Sequence, residues 1–113
     1  MSVANRRKPN KAHIDQAAFS PLLDLKILWL SNNAITELPD DVFYDNEELE
    51  QINLAENQLE YVQRLMFADL ENLKAIFLNL NKLNFIHANA FERNEKVERL
   101  FLHGNRLAAY LCD

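Results

Sequence analysis

LKILWLSNNAI, residues 25–35, sets apolar side chains at Leu25, Leu28, Leu30 and Ile35 and interrupts them with Asn33. The spacing is neither helical throughout nor alternating throughout, so neither regular element accounts for it alone. Moving 24 residues at a time along the chain gives LEQINLAENQL from Leu49, LKAIFLNLNKL from Leu73 and VERLFLHGNRL from Val97. The asparagines recur in register as Asn33, Asn57, Asn81 and Asn105, each followed two residues later by Ile35, Leu59, Leu83 or Leu107. The stretch is one copy of a repeat.

The intervening residues repeat as well. Ile14, Leu38, Val62, Ile86 and Tyr110 form one column, and Phe19, Phe43, Phe67 and Phe91 form another that takes four of the seven phenylalanines in the chain. Within each copy Leu28 and Leu30 alternate with Ile27, Trp29 and Ser31. That is the period-two signature of a strand with its leucines inward and the other three residues outward. Each passage returns through a connection of similar length, so equivalent strands must lie parallel and side by side. One short strand cannot bury its apolar face alone, whereas stacked copies form a solenoid in which each unit covers the next. At the turn leaving each strand, backbone groups point inward and lose water. A buried asparagine amide supplies both the donor and the acceptor that such groups need. The phenylalanine column is expected to fill the core beneath the convex side, as structural residues rather than a cofactor box.

The pattern L-x-x-L-x-L-x-x-N-x-L with a period of 24 resembles the leucine-rich repeat family over about residues 12–113, and the downstream phenylalanine resembles its typical extracellular and receptor-like subclass. The resemblance implies an α/β-type solenoid: a horseshoe with a short parallel β-sheet on the concave face and irregular or helical-turn segments on the convex face. It also implies that the concave sheet binds a partner. The expected organisation is a divergent or disordered N-terminal arm over 1–11, a partial unit 12–24, full units 25–48, 49–72 and 73–96, and a partial unit 97–113. The arm breaks the frame: Met1 and Ala4 fit loosely, Arg6 and Lys11 take inward leucine positions, and Pro9 takes the asparagine position. Extracellular members of the family usually close their ends with cysteine-rich caps, and Cys112 falls in mid-unit. The chain is therefore expected to be a fragment of a longer secreted or cell-surface protein of receptor-like or immune type, with self-association through uncapped ends.

Composition narrows the function. With 49% hydrophobic and 26% charged residues the chain suits a folded domain. Arg6, Arg7, Lys8 and Lys11 carry four positive charges without an acid, so the remaining 102 residues hold a formal −9 against −5 for the whole chain. So acidic a body is a poor match for a phosphate backbone, and no nucleic-acid partner is expected. There is no run of 18 apolar residues and hence no membrane span in the sequence. A single cysteine leaves the redox compartment open. An extracellular or cell-surface location follows from the resemblance alone, against a cytosolic scaffold as the alternative.

No constellation of residues supports catalysis, and no cofactor or metal is expected. His13, His87 and His103 fall at unrelated frame positions without metal-ligand spacing. Ser31 shares a face only with His103, three strands away, or roughly 14 Å at the usual strand spacing. One glycine excludes phosphate loops, and Gly104 is read instead as relieving a turn that needs positive φ. The acidic run 40–50 lacks calcium-loop spacing.

The outward strand positions remain. The central column carries Trp29, Asn53, Phe77 and Phe101; before it stand Ile27, Gln51, Ala75 and Arg99, and after it Ser31, Ala55, Asn79 and His103. Lys26, Glu50, Lys74 and Glu98 flank one side, and Asn32, Glu56, Leu80 and Gly104 the other. Aromatics grouped on a solvent face mark a contact site, although aromatics also favour sheets for cross-strand packing. The expected partner-binding residues are Trp29, Phe77 and Phe101 with Ile27, Leu80, Arg99, His103 and Asn53 around them, and the expected partner is a protein. The competing function is a structural scaffold that assembles through its convex face or ends.

Overall fold

The computed structural model describes residues 14–108 and the backbone of one further strand, Ser2–Asn5. In chain order the strands are β1 (Ser2–Asn5), β2 (Leu25–Trp29), β3 (Gln51–Asn53), β4 (Tyr61–Val62), β5 (Ala75–Phe77), β6 (Phe85–Ile86) and β7 (Arg99–Phe101). β1, β2, β3, β5 and β7 form one parallel sheet in that order, and β4 pairs with β6 in a second, two-stranded one. Ile27, Gln51, Ala75 and Arg99 stand in cross-strand register, as do Trp29, Asn53, Phe77 and Phe101. The 24-residue frame read from the sequence is thus the physical register of the sheet.

Four residues of the N-terminal arm, expected to be divergent or disordered, form a strand of the main sheet. β1 lies beside β2 with Ala4 opposite Leu28, the same 24-residue offset, after a register shift between Ser2 and Val3. Strand pairing uses backbone groups alone, so the misfit side chains that follow Asn5 do not forbid it. Tyr110 and Cys112 lie outside the described residues.

Between strands the chain is wound by successive bonds from an N–H to the carbonyl three residues earlier, as in Val42 to Pro39, Tyr44 to Asp41 and Asn46 to Phe43. The same windings recur one unit later at Met66, Ala68 and Leu70, and again at Ala90, Glu92 and Asn94. They give turns and no continuous helix among the described residues.

Leu28, Leu30, Ile52, Leu54, Ile76 and Leu78 fill the space behind the sheet, all essentially without exposure. Under the convex side Phe19, Phe43, Phe67 and Phe91 stack ring on ring, with centroids 6.0, 6.5 and 5.9 Å apart and near-parallel planes. Phe43 and Phe67, with a ring on each side, are fully buried, so truncating either to alanine costs about 3–5 kcal/mol.

The asparagines bind each coil to the one before it. Asn57 donates through Nδ2 to the Leu54 carbonyl of its own coil at 3.0 Å and to the Leu30 carbonyl of the previous coil at 2.9 Å, while its Oδ1 accepts from Ile35 N–H at 3.1 Å. Asn81 repeats this on Leu78, Leu54 and Leu59 N–H, and Asn105 on Leu102, Leu78 and Leu83 N–H. Each interior carbonyl in the row is therefore shared by two asparagines, and each asparagine spans two coils.

Candidate functional site: the outward face of the sheet

Positions pointing away from the core on β2, β3, β5 and β7 are held at the register just described, about 4.8 Å per strand. The inward residues of those strands lock the spacing, so the outward side chains sit on a rigid platform. Trp29, on β2 next to β1, has 39% of its surface exposed. Phe77 and Phe101 stack at the β7 end, ring centroids 4.7 Å apart and planes 14° from parallel, both half-buried. Asn53 lies between them and turns its Oδ1 down to accept the Ala55 N–H at 2.9 Å. A low, polar step therefore separates the tryptophan from the stacked pair.

The Trp29 and Phe77–Phe101 sides differ in how their charges are paired. Beside Trp29, Lys26 pairs with Glu50 at 3.5 Å, and Lys74, from the Phe77 side, reaches the other Glu50 oxygen at 3.8 Å. These exposed pairs contribute little to stability. Beside the phenylalanine pair, Arg99 and His103 are exposed on the same strand face as Phe101, and Arg99 has no ion pair among the described residues. Ala55 and Ala75 are short enough to be buried below their neighbours.

The rim of this face carries the backbone feature that Gly104 signals. Asn32, Glu56, Leu80 and Gly104, one per coil, have φ of 60°, 59°, 60° and 73°. Positive φ suits glycine and asparagine and is unfavourable for leucine. Leu80 nonetheless holds it with 48% of its surface exposed, supported by its N–H bond to the His103 carbonyl at 2.9 Å. Its side chain lies over Gly104, where an added Cβ would come within 2.5 Å of Leu80 Cδ2.

All eight residues expected on this face from the sequence, Ile27, Trp29, Asn53, Phe77, Leu80, Arg99, Phe101 and His103, occur in the strands or the turns directly after them. Phe77, Leu80, Arg99, Phe101 and His103 gather at one end, while Ile27 and Trp29 lie two strands away from Phe77. Ser31 and His103 are separated by two intervening strands, too far to act together. No group of three or more His, Cys, Asp or Glu side chains that would hold a metal occurs among the described residues. Nor does any described helix have the length and apolarity to cross a membrane.

Two features escaped the sequence reading. Asn46 and Asn94, 48 residues apart, form a second set of amide staples under the convex side: Asn46 donates to the Phe19 and Leu22 carbonyls, Asn94 to those of Phe67 and Leu70. Leu22 and Leu70 alternate with them at the same frame position, so a search at twice the period would have found the pattern. Tyr61 and Phe85, paired across β4 and β6, form a second exposed aromatic strip on the far side of the coil.

The profile of the family described as leucine rich repeat matches residues 9–59 and 47–107. No curated protein matches the chain by sequence. Among solved structures, a chain of the Toll–Spatzle complex, a molecular hub in Drosophila development and innate immunity, is 29% identical with a TM-score of 0.81. The match covers 83% of this chain and 12% of that one. A structure of the leucine-rich repeat domain of APL1B has a TM-score of 0.83 at 24% identity, covering 94% of this chain and 30% of that one. A structure of a TLR13–ssRNA13 complex is similar at a TM-score of 0.69 and 25% identity, over 89% of this chain and 18% of that one. The architecture is that of a solenoid with a parallel sheet on one face, and the chain spans less than a third of each of these proteins.

Proposed function

The chain belongs to the leucine-rich repeat family, and from that membership we propose that it is a non-catalytic module recognising a protein partner through the outward face of its main sheet. The observation that supports this reading is the exposure of large apolar side chains on a rigid, well-paired sheet. Trp29 and Leu80 are exposed, and Phe77 and Phe101 are stacked and only half-buried, on a face whose other residues, Ile27 apart, are small or polar. Such area gains free energy when covered, and rigid aromatics lose little entropy on binding. Similarity to a chain of the Toll–Spatzle complex favours a receptor-like protein that meets its ligand outside the cell or at its surface.

The test is a selection of binders from a displayed peptide library against the immobilised chain, followed by affinity measurements on variants. Trp29→Ala, Phe77→Ala and Phe101→Ala should each weaken the selected binders at least tenfold, while Tyr44→Ala and Leu65→Ala, exposed on the convex side, should leave them unchanged. Binders that respond only to the convex substitutions would overturn the reading and favour an assembly scaffold.

A further inference from the structure

Resting on that reading, we infer that the Phe77–Phe101 end of the sheet is a subsite for an extended protein segment carrying an aromatic or branched apolar side chain with a carboxylate beside it. Three observations converge there. The stacked rings present one continuous apolar surface, extended at the rim by Leu80. Arg99, two residues before Phe101 and on the same strand face, carries a full charge with Lys74 and Glu98 on the flank, and among the described residues no carboxylate forms an ion pair with it. A guanidinium left unpaired beside an apolar patch fits a carboxylate through two parallel N–H bonds.

Leu80 supplies the third. A leucine at φ 60° with nearly half its surface exposed is strained without a compensating burial; the equivalent turns carry Asn32, which tolerates this conformation, and Glu56, which is strained alike. What sets Leu80 apart from Glu56 is that the side chain held out at this position is apolar. Gly104 makes room for it, since a Cβ there would strike the Leu80 methyl group.

Charge along the solenoid also selects the occupant. Residues 14–61 hold eleven acids against Lys26 alone, whereas residues 62–108 hold five acids against seven bases. A nucleic-acid strand, charged at every step, would have to pass the acidic coils as well as Arg99. A protein segment places one carboxylate at Arg99 and runs uncharged over the rest.

The experiment titrates the intact chain with two end-blocked peptides, Glu-Gly-Phe-Gly-Leu and its Gln-Gly-Phe-Gly-Leu counterpart, and with a single-stranded oligouridylate. Binding is followed through backbone amide shifts and through the fluorescence of Trp29, the single tryptophan. The Glu peptide should bind about tenfold more tightly than the Gln peptide and shift the amides of Phe77, Leu80, Phe101 and His103. Arg99→Gln should abolish the difference between the peptides and leave the weaker binding in place. Leu80→Asn should weaken both peptides several-fold with the melting temperature unchanged or raised, an effect opposite to that of a structural residue. Equal binding of the two peptides on this face would overturn the carboxylate preference and leave the wider reading standing. Tighter binding of the oligouridylate would replace the protein segment by a nucleic acid. Absence of peptide binding, or shifts confined to the convex side, would overturn both the subsite and the function proposed for the face.

Discussion

Replacing Asn81 with alanine deletes one rung of the amide ladder, and its cost follows from the bonds lost. The Leu54 and Leu78 carbonyls each accept from two asparagines, so each falls from two partners to one. The Leu59 N–H, which donates to Asn81 Oδ1 at 3.0 Å, falls from one partner to none in a buried position. An orphaned buried donor costs about 1–3 kcal/mol, and each shared carbonyl adds about 0.5 kcal/mol or more. The sum is about 3 kcal/mol, which lowers the melting temperature of a domain this size by roughly 12–20 °C. Urea unfolding monitored by circular dichroism measures it. A loss below about 1 kcal/mol would refute the claim that the ladder satisfies groups that nothing else can reach.

Asn94→Leu, by contrast, should cost less than about 1 kcal/mol in the same assay, because the Phe67 and Leu70 carbonyls keep their bonds from Leu70 and Leu73 N–H and the Asn94 Oδ1 is buried without a partner. A loss equal to that of Asn81→Ala would contradict this. Gly104→Ala, at φ 73° with Leu80 Cδ2 in the way, should lower stability by about 1 kcal/mol or more, and an unchanged melting temperature would show that the turn tolerates a Cβ. The Asp69 carboxyl is pushed above its ordinary range, first by partial burial and then by Asp41, with Arg93 acting the other way. A carboxyl whose folded pKa exceeds its unfolded value destabilises the fold when ionised. Asp69→Asn should therefore raise the melting temperature at pH 7, and the gain should vanish below about pH 3.9, where both states are protonated. A gain independent of pH would assign the effect to packing instead.

The parts of the fold legible in the sequence are those that repetition makes redundant. Asn33, Asn57, Asn81 and Asn105 announce themselves because one offset superposes them, and the same offset is the sheet register. The phenylalanine stack and the outward columns follow by the same arithmetic. Contacts between columns do not: that Phe77 and Phe101 stack at 4.7 Å depends on rotamers, which the frame leaves free. β1 was obscured because Arg6, Pro9 and Lys11 break the side-chain pattern, whereas pairing with β2 needs only backbone. The strain at Leu80 was half-visible. Gly104 points to positive φ at that frame position, but a leucine is the last residue from which to infer it.

The rigidity of the outward face rests on coils locked together through shared carbonyls, and a double-mutant cycle measures that sharing. Asn57 and Asn81 both donate to the Leu54 oxygen, whereas Asn57 and Asn105 have no acceptor in common. Unfolding free energies of Asn57→Ala, Asn81→Ala, Asn105→Ala and the two double variants, taken in stabilising sucrose, give the two coupling terms. The account predicts that the first pair loses about 1 kcal/mol beyond the sum of its singles, as Leu54 is stripped of its last partner, and that the second pair adds. Additivity within about 0.5 kcal/mol for both pairs would contradict it.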